Sequence, residues 1–382
     1  MRQYDFIVVG SGLFGSVFAQ QAHENGKSVL VLEQRKHIGG NCYSEDFEDT
    51  NINVHRYGTH IFHTNSEEIW RYTNRFTTFN RYQHRVLTTH KNRVYAMPIN
   101  LGTINQFYGL NLKPFEVEDF IASKREGISS PRNLEEKAIS LIGRDLYEAF
   151  IKGYTIKQWD CDPRDLPAAI ITRLPVRTSY HDSYYNDRFQ GIPSGGYTPI
   201  FERMLEGIPV ETGVDFLEDP GYWHRHAGLV VYTGPIDRYF GYAEGRLGWR
   251  SVKLEYQRLD LEDYQGTSVM NYADLDVPFT RIHEFKHLHL EKPHTPDTTV
   301  IVHEYACIDN ERPYYPVNSE EDRKRLKAYQ ELQRREGRVL FGGRLAEYKY
   351  YDMHQVIGAA LQKARKVLRG KPEAATVESA GG

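Results

Sequence analysis

The sequence predicts an α/β protein built on a doubly wound parallel sheet, interrupted by one helical insertion and one insertion of antiparallel strands. Three observations carry this. A strand–glycine turn–helix–strand unit opens the chain, and strand-like runs suited to the same sheet reappear far downstream. Between them the hydrophobic period changes from helical to alternating. With 382 residues, 40% of them hydrophobic and 26% charged, the chain is long enough for about two to three domains with their own cores.

The elements follow in order. Tyr4–Val9 is an apolar run closed by Gly10 and reads as a buried strand. Phe14, Phe18 and Ala22 recur at helical spacing, Gly26 stands where a helix C-cap belongs, and residues 28–32 form the next strand. Strands expected at 208–211, 229–233 and 338–341 complete this sheet. The first insertion reads as helical, most clearly over 134–152, where Leu134, Ala138, Leu141, Ile142, Leu146 and Phe150 share a face. Alternation at 251–259, 267–272, 280–288 and 298–305 predicts antiparallel strands, and helices are expected at 320–335 and 354–368. The expected division is a discontinuous first domain (1–78, 192–245 and 316–370), a helical substrate and lid domain (79–191), an antiparallel sheet domain (246–315) and a disordered tail (371–382).

Composition excludes several classes of function. Lys plus Arg is 48 and Asp plus Glu is 51, which leaves no broad surface for a nucleic acid. No apolar run reaches the roughly 18 residues of a membrane span. No secretory cleavage pattern opens the chain, and Cys42, Cys161 and Cys307 form no CxxC, as expected for a cytoplasmic protein. Serine hydrolase chemistry lacks a G-x-S-x-G elbow. His287, His289 and His303 lack cysteine or carboxylate partners at ligand spacing, so no metal is expected. The 27 tyrosines supply either large cores or ring faces for a sugar or base.

Gly10-x-Gly12-x-x-Gly15 is the dinucleotide fingerprint. With glycine at 31 of 382 positions the spacing arises by chance about 0.2 times here, so context decides. A strand precedes it, a helix follows, and Glu33 ends the next strand 23 residues after Gly10, where an acid accepts from an adenosine ribose lacking a 2′-phosphate. Gly10, Gly12, Phe14, Gly15, Glu33 and Gln34 form this nucleotide-facing set. Gly39, Gly40 and Asn41 offer a second backbone approach. Near the other end, Gly342-Gly343-Arg344 follows a strand and Asp352-Met353 precedes the last helix, which suits a ribityl chain and ring. Two such ends point to FAD rather than NAD, hence to a Rossmann-like FAD-binding domain. The run from His55 to Thr64 brings His60 or His63 near the flavin, or else is a surface loop. Residues 150–185 crowd Tyr154, Trp159, Tyr184 and Tyr185 with Arg164, Arg173 and Arg177, either as a base- and phosphate-binding lid or as a helix-packing surface. Arg281 and His283 share one face of an alternating strand.

GSGLFG, HIGGN, YGTHIFHT, GYTIKQW, ITRLP, the Arg281 strand, YYPV and GRLAEYKYYDM lie in order over nearly the whole chain. Together they resemble the prokaryotic UDP-galactopyranose mutases. That resemblance implies an FAD domain with helical and antiparallel-sheet domains, a homodimer, and a flavoprotein isomerase of cell-wall or polysaccharide biosynthesis. It implies conversion of UDP-galactopyranose to UDP-galactofuranose with reduced FAD, whose N5 is the nucleophile at the anomeric carbon. By the same resemblance Arg173 and Arg281 hold the diphosphate, and Trp159 leads the lid. Phe150 and Tyr154 meet the uridine, with Tyr184 or Tyr185 close by. Tyr314 or Tyr315, with spacing favouring the latter, joins Tyr350 and Asp352 on the sugar side. His63 and Arg344 flank the flavin, with His60, Gly40, Asn41, Gly343 and Met353 also on the cofactor. The rival readings are an FAD-dependent oxidase or desaturase of the amine-oxidase type, and a nucleotide-sugar-binding protein with a structural FAD.

Overall fold

Apolar segments from distant parts of the chain assemble one five-stranded parallel sheet, in the order Val339–Phe341, Ala227–Tyr232, Tyr4–Val9, Val29–Glu33, Val210–Thr212. This computed structural model describes residues 3–171, 176–309 and 312–369, so the expected tail (371–382) lies outside it. Alternation within the central strands feeds two cores. Val8, Val31 and Val231 pack beneath helices Leu13–Glu24, Thr198–Met204 and Met353–Leu368, while Ile7, Leu30, Leu32 and Val230 pack with Phe216, Trp249 and Tyr329 on the other face. Coverage of both faces explains why these strands read as continuous apolar runs. Among the described residues no helix is long and apolar enough to cross a membrane.

The second sheet has seven strands, in the order Tyr315–Pro316, Trp249–Leu259, Thr299–Cys307, Arg281–Glu284, Val269–Tyr272, Val86–His90, Arg93–Met97. Five of its six pairings are antiparallel; Val269–Tyr272 and Val86–His90 run parallel. Two expectations change here. The segment taken as helical contributes a hairpin, turned at Lys91 and Asn92, both with positive φ. Such a turn suits the strand twist but lacks the Asn-Gly pair that signals it in sequence. The strand expected over 280–288 stops at Glu284, and Phe285–Leu288 winds as a 3₁₀ turn with Phe285 and Leu288 buried.

The helix expected over 134–152 is also corrected. Leu134–Ile142 ends at Gly143, and the chain resumes as Arg144–Tyr147, a π turn over Glu148–Lys152, and helix Gly153–Trp159. Gly143 has φ +82°, and a Cβ there would lie 2.5 Å from the Lys124 carbonyl oxygen. Apolar periodicity survives this break, so the pattern concealed it. Phe150 is 4% exposed and packs edge-on to Tyr95, inside the helical core with Ile139 and Leu146. Its ring is thus anchored in the packed core of the helical segment. Gly143→Ala is predicted to cost about 1–3 kcal/mol, from strained backbone and the clash with Lys124, measured by urea denaturation.

Candidate active site

The carboxyl ends of strands Tyr4–Val9, Val29–Glu33 and Ala227–Tyr232 open onto a cleft of about 200 Å³. Gly10, Gly12 and Phe14 form one wall; Glu33, Gln34, Gly40, Asn41 and His60 form another; Gly343, Arg344 and Met353 close it. Absence of side chains shapes this cleft. A Cβ on Gly40 would meet the Gly12 Cα at 2.9 Å, and Gly10, at φ +99°, would meet the Thr233 hydroxyl at 2.2 Å. Helix Leu13–Glu24 starts at Gly12 with no side-chain cap, so its first-turn N–H groups are left for a ligand. Gly15 is not on the cleft wall: its Cβ would lie 1.9 Å from the Gly10 carbonyl oxygen, so it serves helix–strand contact. Asp352 is also off this wall and caps the last helix through a capping box with Gln355.

The residues fit a dinucleotide. Glu33 is buried and accepts hydrogen bonds from Ser11 N at 2.9 Å and Ser11 Oγ at 2.7 Å, which fix the carboxylate at the cleft floor. Arg35, beside it, donates through Nη2 to Asn41 Oδ1 at 2.9 Å and stands over the Tyr57 ring at 4.2 Å. Its buried Nη1 has no partner among the described residues. A buried guanidinium N–H without an acceptor is costly unless a ligand supplies one. His60 donates from Nδ1 to the Gly58 carbonyl at 2.7 Å, and burial brings its imidazole down to about 4. The ring facing the cleft is thus neutral, with Nε2 as an acceptor. Sequence reading missed Arg35, although its place two residues after Glu33 on the cofactor edge was a usable signal.

Arg344 joins this cleft to a second cluster. Its guanidinium donates to the carbonyls of Tyr314 at 3.2 Å and Tyr351 at 2.6 Å, and lies 5.4 Å from the ring centres of both Tyr315 and Tyr350. Those two rings stack at 5.8 Å. Tyr185 stacks on His63 at 3.7 Å, with Tyr184 edge-on at 5.1 Å, and His63 Nδ1 is held by Asp187. Tyr184 is 46% exposed and Tyr350 56%. Burial pushes the Tyr185 phenol up, and Tyr184, Tyr350 and Asp352 push the same way. Tyr314 is buried instead, with Arg35 and Tyr57 in its electrostatic surroundings, while Tyr315 shares those of Arg344, Glu304 and Arg281. Trp159 ends its helix half-buried against the helical core. Arg173 lies outside the described residues.

Arg281 sits at the head of its strand opposite Glu304, with Nε 3.3 Å from Glu304 Oε1, and Nη2 donates to the Tyr154 hydroxyl. The other Glu304 oxygen is 2.9 Å from His283 Nε2, and His283 Nδ1 is 2.6 Å from the Thr59 hydroxyl. Burial pushes the Glu304 carboxyl up, but the Arg281 charge and the His283 hydrogen bond outweigh it and bring it down to about 2. Sequence reading placed His283 on one face with Arg281 but missed Glu304 and Thr59. The signal for Glu304 was an acid in phase with Val300 and Val302 on an apolar face.

A parallel dinucleotide fold with a glycine-lined cleft, continued through one arginine into an arginine–tyrosine pocket, defines a nucleotide-cofactor enzyme of the flavin type. Residues 149–350 match the UDP-galactopyranose mutase family and residues 8–76 the NAD(P)-binding Rossmann-like domain. The chain belongs to the UDP-galactopyranose mutase family. It is 41% identical over 372 residues to a probable UDP-galactopyranose mutase of Klebsiella pneumoniae, covering 96% of each chain. It is 37% identical to a dTDP-fucopyranose mutase of Escherichia coli, covering 96% of this chain and 99% of that one. In fold it matches the crystal structure of reduced UDP-galactopyranose mutase, with a TM-score of 0.72 at 13% identity over 97% of this chain and 96% of that one.

Glu304→Gln tests the buried charge chain. Because the folded carboxyl titrates at about 2 against an ordinary 4.5, its contribution is complete above 4.5 and is lost as pH falls through about 2. Wild type is predicted to exceed the variant in stability by on the order of 3 kcal/mol at pH 7, because the variant leaves Arg281 unpaired. The gap in melting temperature should narrow from pH 4.5 downward and close near pH 2.

Proposed function

We propose that this protein interconverts UDP-galactopyranose and UDP-galactofuranose with FAD in its reduced state. The observation that carries the reading is the Arg281–Tyr154 pair, anchored on Glu304 and separated from the glycine cradle by the Arg344–Tyr315–Tyr350 cluster. A nucleotide-sugar diphosphate needs a fixed cation beside a cofactor ring, and this arrangement offers one. The likeness to the Klebsiella relative supports the choice of sugar nucleotide.

Backbone at Gly10, Gly12 and Gly40, with Glu33 and Arg35, holds the FAD in this reading. Bound and reduced, that cofactor supplies an electron-rich N5 as the nucleophile toward the anomeric carbon. The chain's own residues bind and orient. Arg281, and Arg173 by sequence likeness, hold the diphosphate as it departs and keep it for return. Tyr154 and Trp159 take the uridine, and Tyr315, Tyr350 and Asp352 take the sugar, with Tyr184 and Tyr185 closing over it. His63, fixed by Asp187, and neutral His60 line the flavin side. No protein nucleophile is needed. Burial pushes the Cys42 thiol on the cleft wall up to about 12, so it carries no thiolate at neutral pH.

Purified protein is predicted to be yellow and to release FAD on denaturation. Dithionite-treated enzyme should convert UDP-galactofuranose to the pyranose over many turnovers without reoxidation, followed by chromatography of the sugar nucleotides. Full activity with oxidised cofactor, or turnover that consumes oxygen, refutes the reading and favours the oxidase. Arg281→Ala should lower kcat/KM by ~2–4 kcal/mol. Because a relative is named dTDP-fucopyranose mutase, dTDP-fucopyranose is the second substrate to assay. A higher kcat/KM for it reassigns the sugar and base while leaving the chemistry intact.

A further inference from the structure

Lys157 lies on helix Gly153–Trp159, three residues after Tyr154, and its ammonium has no carboxylate partner among the described residues. It donates instead to four backbone carbonyls: Tyr272 at 2.6 Å, Asp274 at 2.8 Å, Val277 at 3.0 Å and Phe279 at 3.0 Å. Tyr272 ends strand Val269–Tyr272, and the other three lie in the loop that joins it to strand Arg281–Glu284. An ammonium has three N–H groups, so four acceptors share them and the loop is gathered onto one point. The Asp274 carboxylate is engaged elsewhere, with His90 Nδ1 at 2.6 Å and Lys91 N at 2.8 Å. Glycine brings the two segments together: a Cβ on Gly153 would lie 2.3 Å from the Ala273 carbonyl oxygen.

This loop ends at Arg281, whose guanidinium meets the Tyr154 hydroxyl on the same helix as Lys157. Helix and loop therefore close a ring of contacts, with Gly153 and Lys157 on the loop body and Tyr154 on its end. We propose that Lys157 is a positioning residue, which organises the loop before Arg281 so that the Arg281–Tyr154 pair is set for a nucleoside diphosphate. Without the ammonium, four converging carbonyls repel one another and the loop opens, which moves Arg281. The proposal rests on the nucleotide-sugar reading of the same site, since the affinity it governs is for the diphosphate.

The test uses the full-length FAD-loaded protein, with UDP as the probe and calorimetry as the readout. Lys157→Met keeps the aliphatic stem and removes the donors. Its dissociation constant for UDP is expected to rise about 10-fold or more, with FAD content unchanged and kcat/KM lost through KM rather than kcat. Lys157→Arg should recover part of the affinity, and Gly153→Ala, which pushes helix from loop, should weaken UDP in the same way. A lowered melting temperature with wild-type affinity for UDP shows a purely structural clamp and overturns the proposal. If Lys157→Met does not fold, Gly153→Ala decides: wild-type affinity there overturns it equally. Failure of the wild-type protein to bind UDP overturns the nucleotide-sugar reading and the proposal with it, whereas binding by wild type and variants alike sinks the clamp alone.

Discussion

The structure depends on one constraint: several stretches of chain must approach so closely at the carboxyl edge of the parallel sheet that a Cβ at the point of contact would collide. Gly15 sits against the Gly10 carbonyl, Gly40 against the Gly12 Cα, and Gly342 against the Phe14 ring, where a Cβ would come within 2.0 Å. These glycines come from the first turn, the loop after the second strand, and the strand end more than 300 residues later. Their meeting makes the cleft and leaves helix N–H groups exposed to it. The late strand Val339–Phe341 pairs with Ala227–Tyr232, so the cradle is complete only when the ends of the chain have come together.

The second part of the site is built on the opposite principle. Thr59, His283, Glu304, Arg281 and Tyr154 form a chain of buried polar contacts across the antiparallel sheet. Desolvating an arginine and a glutamate costs more than an exposed pair returns, so such a chain adds little net stability. What it fixes is direction, since His283, Glu304 and Arg281 are each held between two partners. Glu304 has a side chain only 8% exposed, and its two oxygens face different partners.

What sequence reading captured and missed divides along the same line. The glycine turn, Glu33 and the Gly39–Gly40 pair are local: strand, turn and helix lie within about forty residues, and each glycine has a backbone reason. The Lys91–Asn92 hairpin and the break at Gly143 were hidden because neither carries a distinctive dipeptide, and the second falls inside a pattern that stays apolar. Phe150 belongs to an aromatic-rich motif, and its packing edge-on to Tyr95 depends on a strand that the sequence pattern did not show. Glu304 was overlooked for a different reason: an acid in phase with Val300 and Val302 gains its meaning only when Arg281 arrives opposite it. The paired tyrosines show the same limit. Residues 314 and 315 are adjacent in sequence, but strand pairing at Tyr315–Pro316 sends their side chains into different surroundings.

A reaction without net redox change, as proposed here, places an unusual demand on such a site. The diphosphate must leave the anomeric carbon and return to it, so the leaving group has to be bound at least as firmly as the substrate it came from. A flexible surface arginine meets the first requirement but not the second, because the separated ion is free to escape. An arginine held from behind by a buried carboxylate, from the side by a phenol, and at its own backbone by a loop gathered onto Lys157 keeps its position when the covalent tether is cut. On the cofactor side nothing comparable is required, since the nucleotide stays put, and rigid backbone suffices. The division between a glycine cradle and a charge-anchored pocket thus follows from which ligand must be recaptured and which must only be held.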